Sequence, residues 1–147
     1  MKTLRPILIA DDNPADVELM TAALRAMKLA NEIVVARDGD EALDYLRTHA
    51  KPDSRVQPPP GVLLLDLKMP RVDGFAVLRA LRADPVWRHL PVVVLSSSGQ
   101  ERDIAACYES GTNAYVVKPV DFQEFIQAVG QLGRFWAAIN QPVECTS

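Results

Sequence analysis

Residues that can bind metal ions or phosphate stand at the ends of several short apolar runs in this sequence. They are two acids after the first run, one acid at the end of the third, a hydroxyl at the end of the fourth and a lysine at the end of the fifth, namely Asp11, Asp12, Asp66, Ser96 and Lys118. Taken singly, residues of these types most often cap a helix, occupy a turn or face solvent. Their shared position after apolar runs instead favours one common site.

The apolar runs are short enough for strands, and a longer segment with helical spacing follows each of them. The runs span residues 6–10, 32–36, 61–66, 91–96 and 114–118. Uninterrupted apolar stretches of this length are typical of strands that are buried on both faces of a parallel sheet. The pattern therefore predicts an α/β fold built from repeated βα units, with one domain over residues 1–140 and a short tail over 141–147.

Several helix boundaries are marked by local sequence signals. Asn13 followed by Pro14 is typical of an N-cap and a first helical residue. A capping side chain three residues before Glu recurs at residues 38–41, 98–101 and 121–124. This spacing predicts a helix start at each of those segments, and Gly111 is expected to end the fourth helix.

Composition restricts the class of protein. The 147 residues carry a net charge of −3 and a pI near 5.3, which gives little electrostatic basis for binding nucleic acid. No apolar run approaches the roughly 18 residues of a membrane span, and the N-terminus does not resemble a signal peptide. Cys107 and Cys145 are too few for a disulfide framework, and Cys107 is expected to be a packed core residue. Together these observations predict a cytoplasmic protein.

One polar segment, residues 48–60, interrupts the regular alternation. It holds four of the eleven prolines and is too polar for a protein core. It is expected to form a surface loop with extended, polyproline-like backbone. The segment is either an inert insertion or a docking surface, and the tolerance of loops to insertion favours the first.

The charged residues at the strand ends would meet if their strands are neighbours, because open α/β sheets bind ligands at the carboxyl ends of the strands. Three adjacent carboxylates repel one another unless a cation lies between them. Oxygen ligands of this kind suit Mg²⁺. Beside such a cation Asp66 can act as a nucleophile toward phosphorus. Lys118 and the hydroxyl of Ser96 can then bind the oxygens of the phosphoryl group.

Four motifs, in order, resemble the receiver domain of two-component response regulators. They are "ADD" (10–12), "LLLDLKMPRVDG" (63–74), "VVVLSSS" (92–98) and "AYVVKP" (114–119). The resemblance spans residues 4–130 and implies a flavodoxin-like, three-layer sandwich with a parallel sheet in the order 2-1-3-4-5. It also implies a signalling protein rather than an enzyme, which receives its phosphoryl group from a sensor histidine kinase.

The resemblance assigns roles to the acidic residues. Asp66 resembles the phosphoacceptor of the family. Asp11 and Asp12 resemble the acidic pair that holds Mg²⁺ together with Asp66 and the backbone carbonyl of Lys68.

The resemblance also identifies the residues that read out phosphorylation. Ser96 resembles the switch hydroxyl, Lys118 the phosphate-binding lysine and Tyr115 the aromatic residue that turns inward on activation. The bond that corresponds to Lys118–Pro119 is cis in the family, and the sequence by itself shows only that a bond before proline can be cis. Gly74 matches the family's turn after the phosphorylation loop, where glycine permits a positive φ.

The proline-rich segment and the ending "GRFWAAINQPV" resemble a narrower group, the stand-alone receivers that are paired with bacterial phytochrome-type histidine kinases. The residues after the fifth helix are too few to fold as an output domain. The signal is therefore expected to leave by protein contact through the fourth helix, fifth strand and fifth helix.

The last helix carries more apolar surface than docking on the sheet requires. The stripe predicted to dock consists of Phe122, Phe125, Ile126, Val129, Gly133 and Trp136. Leu132, Phe135 and Ile139 widen the apolar arc beyond it. A broad but buried helix would explain the pattern, but a homodimer through the fifth helix and the C-terminal extension is favoured, since exposed apolar patches usually mark partners.

Other functions compete with phosphoryl signalling. A Mg²⁺-dependent phosphatase of the haloacid dehalogenase type would need a second Asp two residues after Asp66, where Lys68 stands. A flavin-binding protein would need a phosphate loop after the first strand, where the acidic pair would repel phosphate. A receiver-like module that binds partners without phosphorylation remains open, and the presence of all the site residues argues against it.

Overall fold

Within residues 4–48 and 58–141, which the computed structural model describes, five strands alternate with five α-helices. The strands are β1 (Ile7–Ala10), β2 (Ile33–Ala36), β3 (Val62–Leu65), β4 (Val92–Ser96) and β5 (Ala114–Val117). The helices are α1 (Pro14–Ala26), α2 (Gly39–Thr48), α3 (Gly74–Ala83), α4 (Glu101–Glu109) and α5 (Phe122–Gly133). A π-helical segment, Arg134–Ile139, continues directly from α5. The predicted alternation of strands and helices is confirmed.

The strands form one parallel sheet in the order β2-β1-β3-β4-β5, as the family resemblance implies. Ala10 at the end of β1 is paired with Leu65 at the end of β3, and Leu65 is paired with Val94 of β4. The ends of these central strands are therefore nearly level. Residues that follow the strands are delivered to one edge of the sheet, which we call the carboxyl edge.

The alternation of side chains along the central strands divides the core into two layers. In β1, Leu8 and Ala10 pack on the side covered by α2 and α3, while Ile7 and Ile9 pack on the side covered by α1 and α5. These strand residues are fully buried. Helices on both faces explain why the strand sequences are apolar throughout rather than alternating.

Three of the predicted helix starts are capped as expected. The side chain of Asn13 accepts hydrogen bonds from the backbone N–H groups of Ala15 and Asp16, at 3.0 and 3.2 Å. Asp38 accepts from Glu41 at 2.8 Å, and Asp121 caps α5 in the same way through the N–H of Glu124. Each cap satisfies an N–H group that has no partner within its own helix.

The predicted cap at residues 98–101 is wrong. The helix α4 begins at Glu101, with Gln100 at the N-cap position and without a capping side chain. Ser98 lies outside the helix, and its hydroxyl donates to the carboxylate of Asp103. This bond to a carboxylate is stronger than a neutral cap, so the hydroxyl is turned toward the side of α4 instead. Gly111 follows α4 with φ of +100°, as predicted for a left-handed helix end.

The last helix docks on the sheet through most of its predicted stripe. Phe125, Val129 and Gly133 are buried, and α5 approaches α1 so closely that a Cβ on Gly133 would lie 2.2 Å from Leu24. Phe122, by contrast, is 56% exposed, so its predicted docking is wrong. It begins the helix just beyond the carboxyl edge, where its chain neighbours are exposed as well.

Some sequence predictions fall on other parts of the chain. Residues 49–57 of the predicted loop, and residues 142–147 with Cys145, lie outside the described residues. Cys107 is buried, as predicted. Among the helices of residues 4–48 and 58–141, none has the length and apolar character to cross a bilayer.

Candidate functional site

Three carboxylates meet at the carboxyl edge of the sheet. Asp11 and Asp12 follow β1 and Asp66 follows β3, and one oxygen from each lies within 4.8 Å of the others. The backbone N–H of Asp66 donates to the carbonyl of Ala10 at 2.9 Å, which extends the ladder between β1 and β3 by one bond. Backbone pairing between two buried strands therefore brings these acids together.

The three acids differ in their access to water. Asp11 is 1% exposed and Asp66 is 9% exposed, whereas Asp12 is on the surface. Two acids of the site are thus buried at the carboxyl edge, and one lies on the surface beside them.

Lys118 extends into the same site from the end of β5. Its ammonium group lies 3.0 Å from Asp11, 2.8 Å from Asp16 and 3.6 Å from an oxygen of Asp66. The backbone N–H of Lys118 donates to the carbonyl of Ser96 at 2.7 Å, so the end of β5 is held against β4. The predicted meeting of Lys118 with the acids of β1 and β3 is confirmed.

Asp16 was not predicted as part of this site. It stands in the first turn of α1, the helix that follows β1, and it is half-buried. An acid in the first turn is usually explained by the positive end of the helix dipole. The available signal was its position only four residues after Asp12, in a helix that starts at the carboxyl edge.

Burial and crowding disfavour the charged forms of the buried acids. Burial raises the pKa of Asp66 to about 6, and Lys118 opposes this while Asp11 and Asp12 add to it by repulsion. Burial also raises the pKa of Asp11, against the opposing effects of the Asn13 N–H and of Lys118. The metal-free site therefore holds negative charge at a cost in free energy.

Lys118 has the opposite response to the same surroundings. Burial by itself would lower its pKa, but the hydrogen bond to Asp16 and the charges of Asp11 and Asp66 together raise it. Lys118 therefore stays an ammonium ion at every physiological pH. It supplies a permanent positive charge beside Asp66.

Ser96 and Tyr115 hold the loop between β4 and α4. Ser96 is buried, and its hydroxyl oxygen accepts from the N–H of Ser98 at 3.1 Å. The hydroxyl of Tyr115 donates to the carbonyl of Ser98 at 2.7 Å, and its ring packs against a small cluster that includes Leu67 and Cys107. Two of the residues predicted to read out phosphorylation, Ser96 and Tyr115, thus contact the same backbone segment.

The loop from β3 to α3 passes close to Asp66. A Cβ on Gly74 would lie 2.5 Å from the carbonyl oxygen of Asp66, so glycine is required by space. The predicted positive φ at Gly74 is wrong, and the left-handed residue of this loop is Arg71, with φ of 64°. Lys68, whose carbonyl was predicted as a metal ligand, lies in this loop with its side chain exposed.

Arg71 fastens the loop to the neighbouring helix. Its guanidinium pairs with the carboxylate of Asp38, the residue that caps α2. The start of α2 lies close to the same loop, because a Cβ on Gly39 would meet the carbonyl oxygen of Val72 at 2.3 Å. Sequence patterns did not reveal this contact.

The bond between Lys118 and Pro119 is trans, unlike the cis bond that the family resemblance implies. The ammonium of Lys118 contacts Asp11, Asp16 and Asp66.

The donor set fits a hard divalent cation. Asp11, Asp12 and Asp66 all offer oxygen, and their mutual distances allow one ion to touch all three. Oxygen-only sites with several carboxylates suit Mg²⁺, Mn²⁺ or Ca²⁺ rather than softer metals. A cation would also relieve the repulsion that raises the pKa of Asp66.

Known proteins share both the sequence pattern and the fold. The family model described as "Response regulator receiver domain" matches residues 7–130. Response regulator Rcp1 of Synechocystis is 32% identical over 130 residues, which cover 88% of this chain and 87% of Rcp1. The range matched by the family model includes Asp11, Asp12, Asp66 and Lys118.

Solved structures agree with this assignment. The phosphorylated cyanobacterial phytochrome response regulator RcpA is 34% identical, with a TM-score of 0.85 over 95% of this chain and 99% of RcpA. The Mn²⁺-bound form of Rcp1 is 30% identical, with a TM-score of 0.83 over 95% of this chain and 99% of Rcp1. The bacteriophytochrome response regulator AtBRR is 51% identical, with a TM-score of 0.72 over 95% of this chain and all (100%) of AtBRR. The chain therefore belongs to the response regulator receiver domain family.

Proposed function

We propose that this protein is a stand-alone response regulator that accepts a phosphoryl group on Asp66 from a sensor histidine kinase. The observation that carries the proposal is the surroundings of Asp66, a nearly buried carboxylate with two further acids and a permanent ammonium ion beside it. The acids supply a cation site and the ammonium supplies the charge that a phosphoryl group needs. We further propose that residues 1–140 form the receiver domain, that 141–147 form a tail, and that the protein works in the cytoplasm.

The transfer step uses the carboxylate of Asp66 as the nucleophile. One of its oxygens attacks the phosphorus of a phosphohistidine, and the new P–O bond forms as the P–N bond breaks. The electron pair of the P–N bond stays on the imidazole nitrogen, which takes a proton from solvent. Since the pKa of Asp66 is about 6, most of the molecules carry the ionised nucleophile at neutral pH.

Lys118 and Ser96 bind the transferred group in this proposal. The ammonium of Lys118 is 3.6 Å from Asp66 and can donate to an oxygen of the phosphoryl group. The hydroxyl of Ser96 can donate to another oxygen after a small movement, because its oxygen at present only accepts from Ser98.

The proposed cofactor is Mg²⁺. Asp11, Asp12 and Asp66 would hold it, together with the backbone carbonyl of Lys68. When bound it neutralises the carboxylates and the charge that develops on the phosphoryl oxygens. The Mn²⁺-bound form of Rcp1 supports a divalent site in a protein of this kind.

The proposed switch is the loop between β4 and α4. A movement of Ser96 toward the phosphoryl group would release the N–H of Ser98, whose carbonyl is the partner of Tyr115. Tyr115 would follow, and the surface formed by α4, β5 and α5 would change its packing. This is a shift between two arrangements of one fold.

The proposed kinase is of the phytochrome type. RcpA and AtBRR, to which this chain is similar over nearly its whole length, are described as phytochrome and bacteriophytochrome response regulators. The downstream partner is proposed to be another protein, and neither nucleic acid nor a membrane is expected to take part.

A homodimer through α5 and the segment after it is also proposed. Phe135 is 46% exposed and Ile139 is 54% exposed, and they continue the apolar face of α5. Ile139→Glu should shift wild-type dimers to monomers in analytical ultracentrifugation at micromolar concentration. Tyr108→Glu, which changes an exposed aromatic residue on α4, is the matched control and should leave the dimer intact. A wild type that sediments only as a monomer, with and without phosphodonor, would refute the dimer.

The phosphoryl transfer can be tested with purified protein. Wild type incubated with Mg²⁺ and acetyl phosphate or phosphoramidate should gain the mass of one phosphoryl group, which is lost again at alkaline pH. Asp66→Asn should gain nothing, and EDTA should abolish the adduct in wild type. If wild type forms no adduct under any of these conditions, the phosphorylation-independent binding module becomes the better account.

A further inference from the structure

Asp16 makes the shortest contact of the lysine in the site. The ammonium of Lys118 is 2.8 Å from Asp16, compared with 3.0 Å from Asp11 and 3.6 Å from Asp66. The Lys118 side chain is 11% exposed and the Asp16 side chain is 26% exposed, so the pair is largely shielded from water. Charged hydrogen bonds of this length and burial hold a flexible side chain far better than a surface pair does.

The backbones on both sides of this contact are fixed. The N–H of Asp16 donates to the capping side chain of Asn13 at 3.2 Å, which sets Asp16 in the first turn of α1. The N–H of Lys118 donates to the carbonyl of Ser96 at 2.7 Å. The pair therefore joins the start of α1 to the end of β5 across the carboxyl edge.

Asp16 differs from the other acids near Lys118 in its independence from the proposed cation. The carboxylates close enough to share one ion are Asp11, Asp12 and Asp66, and Asp16 is outside this group. It can therefore hold the lysine whether or not a cation occupies the triad. An ammonium group has three N–H donors. Asp11 and Asp16 each accept from one N–H of Lys118, so the third N–H is left to interact with Asp66 or a phosphoryl group bound to it.

The ammonium of Lys118 is held near Asp66 but does not form a close hydrogen bond with it. At 3.6 Å the ammonium attracts Asp66 but is too far away for a good hydrogen bond. If the ammonium moved closer, it would bind an oxygen of Asp66 and make that oxygen a poorer nucleophile. If it moved away, the phosphoryl group would lose its cation.

We propose that Asp16 is a positioning residue, which holds the ammonium of Lys118 at the distance where it leaves Asp66 free to react and still meets the phosphoryl group. This inference rests on the proposed phosphoryl transfer to Asp66. Asp16 itself touches neither the phosphodonor nor the reacting atoms, and it acts through Lys118.

A double-mutant cycle tests whether Asp16 acts through Lys118. The rate constant for phosphorylation by acetyl phosphate at saturating Mg²⁺ is measured for wild type, Asp16→Ala, Lys118→Ala and the double variant. Asp16→Ala should slow wild type by about 3- to 30-fold, since small displacements at a reacting centre are costly. In the Lys118→Ala background the same change should have less than about a twofold effect.

Matched variants separate positioning from a change of charge. Glu18→Ala removes an exposed acid from the same helix and should leave the rate unchanged. Asp16→Asn keeps an acceptor oxygen and should recover part of the rate. Equal rates for wild type and Asp16→Ala, or the same slowing in both Lys118 backgrounds, would overturn the inference.

A second readout does not depend on phosphorylation. In NMR spectra the two protons on Cε of Lys118 should be inequivalent in wild type, because the ammonium is held, and should become equivalent in Asp16→Ala. If inequivalence persists in Asp16→Ala, Asp16 does not hold the lysine. If wild type takes no phosphoryl group, the proposed function fails, and this spectrum still decides whether Asp16 holds Lys118.

Discussion

The two edges of the sheet use charged residues in opposite ways. At the carboxyl edge, acids crowd together around a single lysine, and burial raises the pKa of both Asp11 and Asp66. At the amino edge, Arg82 at the end of α3 reaches into the loops before β4 and β5. Its guanidinium donates to the carbonyl of Gly111 at 2.8 Å, to the carbonyl of Arg88 at 3.0 Å and to the side chain of Asn113 at 3.0 Å.

At the amino edge the guanidinium of Arg82 is held by neutral oxygens, and burial lowers its pKa. The side-chain oxygen of Asn113 also accepts from the backbone N–H of Val92. The backbone N–H of Asn113 donates to the carbonyl of Val92. A Cβ on Gly111 would meet the side chain of Arg82 at 2.8 Å, so glycine makes room for the arginine. The guanidinium of Arg82 and the side chain of Asn113 are thus bonded to other groups of the protein, which is expected to stabilise the fold, whereas the buried indole N–H of Trp87 has no partner within the described residues.

The charges at the two edges of the sheet therefore serve different purposes, function at the carboxyl edge and stability at the amino edge. The carboxyl edge keeps unrelieved negative charge that a cation and a phosphoryl group can use, and the folded state carries that cost. At the amino edge Arg82 ties the loops before β4 and β5 to the end of α3. Removal of Arg82 should therefore destabilise the fold, whereas removal of the charge of Asp66 should stabilise it.

The largest effect is expected from Arg82→Ala. It removes the guanidinium from its carbonyl partners and should lower the free energy of unfolding by about 2–4 kcal/mol. Arg79→Ala, an exposed arginine on the same helix, is the control and should change it by less than about 0.5 kcal/mol. Urea denaturation of the three proteins measures both. Similar losses for the two variants would show that the contacts of Arg82 do not stabilise the fold more than an exposed arginine does.

A smaller effect of opposite sign is expected from Asp66→Asn. Without divalent cations it removes a nearly buried charge that is repelled by Asp11 and Asp12, while Lys118 keeps Asp11 and Asp16 as partners. The free energy of unfolding at neutral pH should rise by about 1–2 kcal/mol. If Asp66→Asn is less stable than wild type in EDTA, the charge of Asp66 does not destabilise the folded protein.

The free energy of unfolding of Asp66→Asn should lack the pH dependence that Asp66 gives to wild type. The pKa of Asp66 is raised from 3.8 to about 6 in the folded protein. Between these values the folded state keeps a proton that the unfolded chain has lost, so stability due to this group falls as the pH rises through about 4 to 6. The advantage of Asp66→Asn over wild type should therefore be absent near pH 4 and fully present near pH 7. A constant difference across this range would contradict the raised pKa.

The smallest of these effects is the response to Mg²⁺. At about five times its dissociation constant, Mg²⁺ should stabilise wild type by about 1 kcal/mol. Asp12→Asn, which changes the exposed acid of the triad, should show a much smaller gain. Asp40→Asn, at an exposed acid on α2, should respond like wild type in thermal unfolding. An equal response of Asp12→Asn would place the cation elsewhere.

The sequence predicts the fold well because burial dictates it. Apolar runs of four to six residues, each followed by a helical pattern, suit a parallel sheet that is covered on both faces, and β2 and β4 lie within one residue of their predicted bounds. The strand-end acids and Lys118 were likewise predictable, since parallel strands deliver their following residues to one edge.

The errors and omissions have a different physical origin. Asp16 meets a lysine 102 positions away, and Arg71 meets Asp38 over 33 positions, so spacing along the chain carries no signal of either pair. Ser98 fits a capping pattern, but a nearby carboxylate takes its hydroxyl. Gly74 was expected for its backbone freedom and is needed for space instead. Choices among competing partners depend on tertiary contacts.

The central claim, that Asp66 accepts the phosphoryl group, has one most direct test. Reduction of an acyl phosphate with borohydride converts the modified aspartate to homoserine, which marks its position permanently. The tryptic peptide of residues 56–68 contains Asp66 as its only acidic residue. After treatment with Mg²⁺ and acetyl phosphate, mass spectrometry should find homoserine at position 66 of this peptide. An unmodified peptide together with homoserine at Asp11 or Asp12 would contradict the account.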